Sequence, residues 1–442
     1  MPSKTNMPAR LRGTRWLWLA LCLAFALRLG AAFYWEATFA QDGFHFGDSE
    51  GYWVLAQTVA RGEPYEYGPS GPRIFRTPGY PVMLAPIFLV FGDNPPVMPA
   101  RVLSVLFGTF AVLGVWLLAK RLYGVRAANL AALATAVYPG LIALSVPILS
   151  EAPFCALIPF QLLLWTLASQ ADKKGIALLL AFGTGVLGAA VTLVRPSWLL
   201  FMPFAIVVGL ILSRQRAREA LIAAGVMAGL IFGMTPWWIR NAQVTGHFVP
   251  TTLQVGASLY DGWNPMATGA SDMSYVPEFL AQERQAEADG LVDTTDTFEY
   301  RLDRRMRDAA MDWAKQHPGD VLRLAAVKFA RIWNAWPNEP AFSRPAVRLA
   351  VAATYLPLLL LGLLGACQAL RRGWPYILCF LPALYLTLLH MIFIGSIRYR
   401  EPAMLGIIVL AAGAVVSFRR HDSTSGAGDR SETEEASNVN DA

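Results

Sequence analysis

The sequence predicts an all-α polytopic membrane protein, a bundle of about ten transmembrane helices with further helices lying on its outer face. Three observations predict it. Of its 442 residues 55% are hydrophobic and 15% charged. Ten apolar stretches recur, at 16–34, 100–119, 127–143, 148–168, 176–194, 198–212, 220–239, 346–367, 376–394 and 403–418. Most are long enough for a helix rising about 1.5 Å per residue to cross roughly 30 Å of hydrocarbon. Finally, Lys and Arg gather in alternate turns: Lys4, Arg10, Arg12 and Arg15, then Lys120, Arg121 and Arg126, then Lys173 and Lys174, then Arg214, Arg216 and Arg218, then Arg371 and Arg372, and last Arg419 and Arg420. With these clusters cytoplasmic, ten spans alternate without a violation and both termini lie inside.

These clusters account for the net charge of +6, which therefore calls for no nucleic-acid partner. The first apolar segment is too long, and followed by too polar a sequence, for a cleaved signal peptide, so it reads as a retained anchor. Cys22, Cys155, Cys367 and Cys379 lie far apart within apolar spans, which predicts neither a disulfide framework nor a zinc site. There is no internal repeat and no Gly-rich phosphate loop, which speaks against an ATP-driven machine.

Residues 1–239 form an N-terminal transmembrane module containing a first outer loop at 36–99. In that loop Asp48 caps an amphipathic helix ending at Gly62, with Tyr52, Leu55, Ala56 and Val59 on one stripe. After a Gly/Pro-rich turn, 78–91 is apolar but too short to span, and suits an interfacial or re-entrant helix. Residues 240–345 form an outer subdomain, loop-like in NAQVTGHFVPTT and YDGWNP and helical over 298–316. The helix-start signal HPGD precedes an apolar stripe of Leu322, Ala325, Phe329, Ile332, Trp333 and Trp336, flanked by Arg323, Lys328 and Arg331, which predicts a helix along the membrane surface. Residues 346–418 supply the C-terminal transmembrane helices, and 419–442, apolar-poor and rich in Ser, Gly, Glu and Asp, a disordered cytoplasmic tail.

The chemistry-bearing residues share the outer side: Asp48 and Glu50, Arg73 and Arg76, Glu151 at a span mouth, Arg195 and Arg240 at span ends, and Arg398, Tyr399 and Arg400 before the last span. Charges at that depth are costly unless paired or facing water, which makes them a functional-site candidate. A carboxylate can take a proton from an acceptor hydroxyl while arginines, whose planar fork binds two oxygens at once, hold a phosphate. Trp53, Tyr65, Tyr67, Trp237, Trp238 and Trp263 are placed to stack on sugar rings, and Tyr52, Trp53, Tyr80 and Trp237 are the substrate-binding candidates. Taken singly, each span-end arginine also suits a headgroup contact, Asp48 a helix cap, and the tryptophans an interfacial belt. Arg28, inside the first span, either pairs with an acid or snorkels outward. His45, His247 and His317 lack ligand spacing, so no cofactor is assigned beyond a possible divalent metal.

DSEGYWVLA from Asp48 to Ala56, Gly62, RTPGYPVMLAP, SEAPF from Ser150, VRPSWLL from Val194, TPWWIRN from Thr235, the HPGDVLRLAAVKFARIW helix and RYREP from Arg398 occur in order. The set resembles the polyprenyl-phosphate-dependent glycosyltransferases of the GT-C fold, in the bacterial branch of the protein O-mannosyltransferase and aminoarabinose transferase superfamily. The resemblance implies inverting transfer of a hexosyl or pentosyl group from a lipid-phosphate sugar to an envelope lipid, polysaccharide or protein. It further implies a multi-pass protein of the bacterial cytoplasmic membrane with its active site on the outer face. Asp48 matches the family's catalytic acid, but Ser49 stands where many members have Glu, leaving Asp48 and Glu50 both as candidate bases. The donor phosphate falls to Arg76, Arg398 and Tyr399 with Arg195 and Arg240, and Glu151 positions a sugar. The competing class is a transporter or flippase for a lipid-linked saccharide, which would more often show repeated halves and polar or broken helices at mid-membrane.

Overall fold

The computed structural model describes residues 9–39, 44, 46–68, 71–337 and 344–418, and within them all regular structure is helical. The expected tail at 419–442, Arg419, Arg420 and His45 lie outside the described residues. Seven helices are long and apolar enough to cross a membrane by themselves: α1 (Ala9–Phe39, apolar from Thr14), α4 (Met98–Tyr123), α7 (Glu151–Gln170), α8 (Lys174–Val194), α10 (Arg216–Thr245), α15 (Pro345–Arg372) and α17 (Glu401–Phe418). The other three expected spans are interrupted. α5 (Val125–Val137) stops at Tyr138 and resumes as α6 (Pro139–Leu144); α9 (Phe201–Leu212) follows a 3-10 turn at Pro196–Trp198, and α16 (Leu381–Ile392) one at Tyr376–Cys379. Pro139, Pro196 and Pro382 stand at these breaks, where the missing N–H and the fixed ring end the preceding backbone pattern.

Side-chain contacts show that these interrupted segments still run from one end of the bundle to the other. At one end of the bundle Arg121 donates to Gln170 at 2.6 Å, Trp374 Nε1 to Ser169 at 3.1 Å and Arg372 to Ser417 at 3.0 Å, while Arg218 reaches the Ala171 carbonyl. At the other end Arg101 pairs with Glu36 at 2.8 Å, and Arg195 and Arg398 both reach Glu151. Every basic turn among the described residues therefore shares one end, and the acids and arginines of the candidate site share the other. Ten crossings satisfy both sets. Cysteines placed at the exposed Leu291 and Lys173, in a background without the native four, should accordingly label from opposite sides of sealed vesicles; labelling from one side would break this topology.

Arg28 neither pairs with an acid nor snorkels. It is fully buried, and its guanidinium donates to the carbonyls of Thr135 at 3.1 Å, Ala136 at 2.9 Å and Ala24 at 3.2 Å. The break at Pro139 explains the choice. The Thr135 carbonyl would bond to the N–H of residue 139 in a continuous helix, proline has none, and a cation suits the carbonyl end of α5.

At the end of the bundle that holds the candidate site α2 (Gly47–Arg61) ends at Gly62, which takes the left-handed φ of 67° and donates its N–H back to the last turn. Tyr52, Leu55 and Ala56 are buried on its inner face, with Val59 half-buried at the edge. Beneath it lies α3 (Gly79–Phe91), with Trp53 edge-on to Phe88 at 4.8 Å between ring centres. Both ends of α3 lie at the same end of the bundle, Gly79 against Leu193 and the residues after Phe91 against α2, so α3 does not run the length of the bundle.

The outer segment departs from expectation at its start. α10 continues through NAQVT to Thr245, beyond the boundary at 240, and stops at Gly246 with φ 74°; YDG belongs to α11 (Val255–Gly262). α12 (Val276–Ala288) and α13 (Phe298–Gln316) follow, the latter capped by Thr297. In α14 (Pro318–Ile332) the buried face is Leu324, Lys328 and Ile332, whereas Leu322 and Phe329 are exposed. The apolar stripe is thus split, with Leu322, Phe329 and Trp336 exposed and Ile332 turned inward, and Lys328, expected as a flanking surface charge, lies in the packed face because backbone carbonyls await it there.

Candidate functional site

Asp48 sits in the first turn of α2 but does not cap it; Phe46 precedes the helix and no side chain takes the cap position. The carboxylate faces two arginines instead. Arg76, from the loop before α3, donates Nη2 to Asp48 Oδ1 at 2.6 Å, and Arg398, from the loop before α17, brings Nη2 to 3.7 Å from Oδ2. Arg398 also pairs through Nε with Glu151 Oε1 at 2.9 Å, and Arg195 Nη1 lies 3.1 Å from the same oxygen. Glu151 opens α7 and Arg195 directly follows α8. Five separate segments thus build one alternating row, Arg76, Asp48, Arg398, Glu151 and Arg195. Three guanidiniums against two carboxylates leave an excess of one positive charge, which suits an anion.

Exposure separates the two acids. The Glu151 side chain is 2% exposed and that of Asp48 40%, so Asp48 is the one a substrate can reach. Burial pushes the Asp48 carboxyl up, but the charges of Arg76 and Arg398 outweigh it and hold the group below the ordinary aspartate range. Burial likewise opposes charge on Arg76 and Arg398, yet both are raised, Arg76 chiefly by Tyr52 and Asp48 and Arg398 chiefly by Glu151.

Hydroxyls and rings hold the row in place. Tyr52 donates to Ser150 Oγ at 3.1 Å, and Arg195 donates to the same oxygen at 3.1 Å. The Arg76 guanidinium lies over the Tyr52 ring at 4.6 Å. A Cβ at Gly51 would stand 3.0 Å from the Tyr67 hydroxyl and 3.4 Å from Arg76 Nε, so glycine there lets both side chains cross α2. Tyr399 accepts from Arg398 at 3.1 Å and stacks on His390 with ring centres 4.0 Å apart.

Other candidates lie outside the row. Glu50 is exposed and is not among the partners of Arg76, Arg195 or Arg398. Arg240 stacks on Tyr65 and Trp237 and donates to the Tyr65 carbonyl at 2.9 Å, while Trp237 donates to the Thr251 carbonyl at 2.7 Å; the two bracket the first outer loop. Tyr80 is fully buried, edge-on to Tyr52 at 5.0 Å, and Trp53 packs between Phe44 and Phe88. Arg400, buried over the Tyr355 ring at 3.7 Å, donates to the carbonyls of Ile332 and Asn334 at the end of α14. His247 pairs with Asp296 at 2.7 Å and His317 stacks on Trp313. Among the described residues no three His, Cys, Asp or Glu side chains gather as a metal site. Sequence reasoning missed Ser150 and His390. Ser150 was detectable as the hydroxyl directly before Glu151 at a helix start, whereas a histidine within an apolar helix reads as core.

Residues 75–239 match the family model described as dolichyl-phosphate-mannose-protein mannosyltransferase. No curated protein matches the chain in sequence. In structure it is similar to the archaeal oligosaccharyltransferase AglB from Archaeoglobus fulgidus in complex with an inhibitory peptide and a dolichol-phosphate, with a TM-score of 0.55 at 15% identity over 94% of this chain and 51% of that one. The apo form of the Archaeoglobus fulgidus oligosaccharyltransferase gives 0.56 at 15% identity, over 94% and 52%. ArnT from Cupriavidus metallidurans bound to undecaprenyl phosphate is more distant, with 0.43 at 16% identity over 90% and 77%. The chain spans about half the length of the archaeal oligosaccharyltransferases it matches. It shares the fold of these polytopic membrane proteins, and the match to the dolichyl-phosphate-mannose-protein mannosyltransferase family model is confined to residues 75–239.

Proposed function

We propose that the chain is an integral membrane glycosyltransferase that moves a sugar from a polyprenyl-phosphate donor to an envelope acceptor, by inverting displacement on the outer face of a bacterial cytoplasmic membrane with both termini inside. The observation that carries the reading is a half-exposed carboxylate held between two arginines at the outer end of the bundle. The acceptor hydroxyl oxygen attacks the anomeric carbon as the bond from that carbon to the phosphate oxygen breaks. Its electron pair leaves on the phosphate, and the hydroxyl proton passes to Asp48. Arg76 and Arg398 with Tyr399 hold the phosphate as charge builds on it, and Arg195 and the buried Glu151 keep Arg398 in place.

Both arginines are partners of Asp48 and ligands for the phosphate, which couples the two steps. Before the donor arrives they hold the carboxylate at a low pKa, where it is a weak base. An incoming phosphate competes for the guanidiniums and places a like charge nearby, and both effects raise the Asp48 pKa toward a useful range.

Sugar nucleotides are made in the cytoplasm, so a site on the outer face draws its donor from the bilayer. The test is purified protein in liposomes with a crude acceptor extract, given either a labelled polyprenyl-phosphate sugar or the matching sugar nucleotide. Transfer is expected from the lipid alone. Transfer from the nucleotide, in preparations free of polyprenyl phosphate, would overturn the reading.

A further inference from the structure

The loops that deliver Arg76 and Arg398 are fastened to the outer helices by charged side chains, one at the first loop and two at the second. Glu299, in the first turn of α13, accepts the backbone N–H groups of Arg73 at 2.8 Å and Ile74 at 3.1 Å. The Ile74 carbonyl in turn accepts from the Leu253 N–H at 2.9 Å. These bonds grip the backbone two and three residues before Arg76. Across the site Lys328, fully buried on α14, donates Nζ to the carbonyls of Ile392 at 2.7 Å and Gly262 at 2.9 Å. The loop it holds is pinned twice more, by Arg331 donating to the Gly395 carbonyl at 3.1 Å and by the Gly395 N–H donating to the Gly269 carbonyl at 2.9 Å. A Cβ at Gly395 would meet the Lys328 backbone at 2.6 Å, so the loop lies directly against α14.

Burying an ammonium costs free energy unless its donors are used. The hydrogen bonds of Lys328 go to backbone that α11 and the end of α16 expose. Burial lowers the lysine to about 8, a sign of how far it is withdrawn from water. Both fastenings are bonds from a charged side chain to backbone, which fix the course of the chain and are indifferent to the side chains it carries.

We propose that Glu299 and Lys328 are positioning residues through which the outer helices set the separation of Arg76 and Arg398 about Asp48, and with it the affinity for the donor phosphate. The proposal rests on the assignment of those arginines to the phosphate. The outer segment on this view governs donor grip from a distance, touching neither the lipid phosphate nor the sugar.

The test uses the full chain in nanodiscs, with undecaprenyl phosphate alone as the probe, and compares Glu299→Gln, Lys328→Met, Arg398→Ala and Arg305→Gln. Arg305 pairs with Glu283 at 2.7 Å, away from both loops, and its substitution should leave binding as in the wild type. Glu299→Gln and Lys328→Met should each weaken binding by about tenfold, since a small misplacement of a clamping group is enough. In transfer assays they should raise the KM for the donor and leave that for the acceptor within about twofold. A merely structural lesion would instead lower the active fraction and leave both KM values unchanged. Wild-type binding by folded Glu299→Gln overturns the proposal even if Lys328→Met fails to fold, provided that Arg398→Ala binds weakly. If Arg398→Ala also binds like wild type, the donor-phosphate assignment itself falls.

Discussion

Asp48→Asn is expected to lower turnover by about 10²–10⁴-fold, the contribution typical of a positioned general base, with expression and insertion unchanged. The amide keeps the shape of the side chain and can still accept from Arg76, but it takes no proton. Glu50→Gln, at an exposed position outside the arginine row, should retain most activity; the reverse pattern would move the base two residues along. The pH dependence adds a second check. In the free protein the Asp48 carboxyl is held below the ordinary aspartate range, so it stays ionised throughout the neutral and mildly acidic range. The acid limb of kcat/KM for the donor should lie correspondingly low. That of kcat, which reports the bound complex, should lie higher because the phosphate has drawn the arginines away. Coincident limbs would remove the proposed coupling. The sign for stability follows from the same shift: a depressed pKa stabilises the fold above the unfolded aspartate pKa, and this contribution is lost as pH falls through the folded value.

Arg398→Ala should weaken donor use far more than Arg344→Ala. Arg398 touches Asp48, Glu151 and Tyr399, whereas Arg344 is exposed where α15 begins. Loss of a charge-assisted bond to the phosphate is worth roughly 1.5–3 kcal/mol, or about 10–150-fold in donor KM. The substitution also leaves Asp48 with Arg76 alone and Glu151 with Arg195 alone, which should raise the Asp48 pKa in the free protein. The measurement is donor KM at saturating acceptor. Equal effects at Arg344 and Arg398 would mean that both act as headgroup contacts.

Hydropathy and charge are local, additive properties, and the sequence alone carried them far. Ten apolar stretches and the basic clusters between them were enough to predict a helical membrane bundle and to gather Asp48, Glu151, Arg195 and Arg398 at one end. The brevity of 78–91 marked α3 as too short to span for the same reason, since a length is compared with a membrane thickness and needs no partner. What tertiary structure decided was the use of each charge. Arg28, Arg400 and Lys328 look in sequence like snorkelling, site or surface cations, and all three spend their donors on backbone carbonyls brought from far along the chain. Asp48 at a helix start reads as a cap until Arg76 and Arg398 arrive from two other loops. A charged side chain takes the role its nearest opposite charge or free carbonyl offers, and those neighbours are set by packing among segments that lie far apart in the chain.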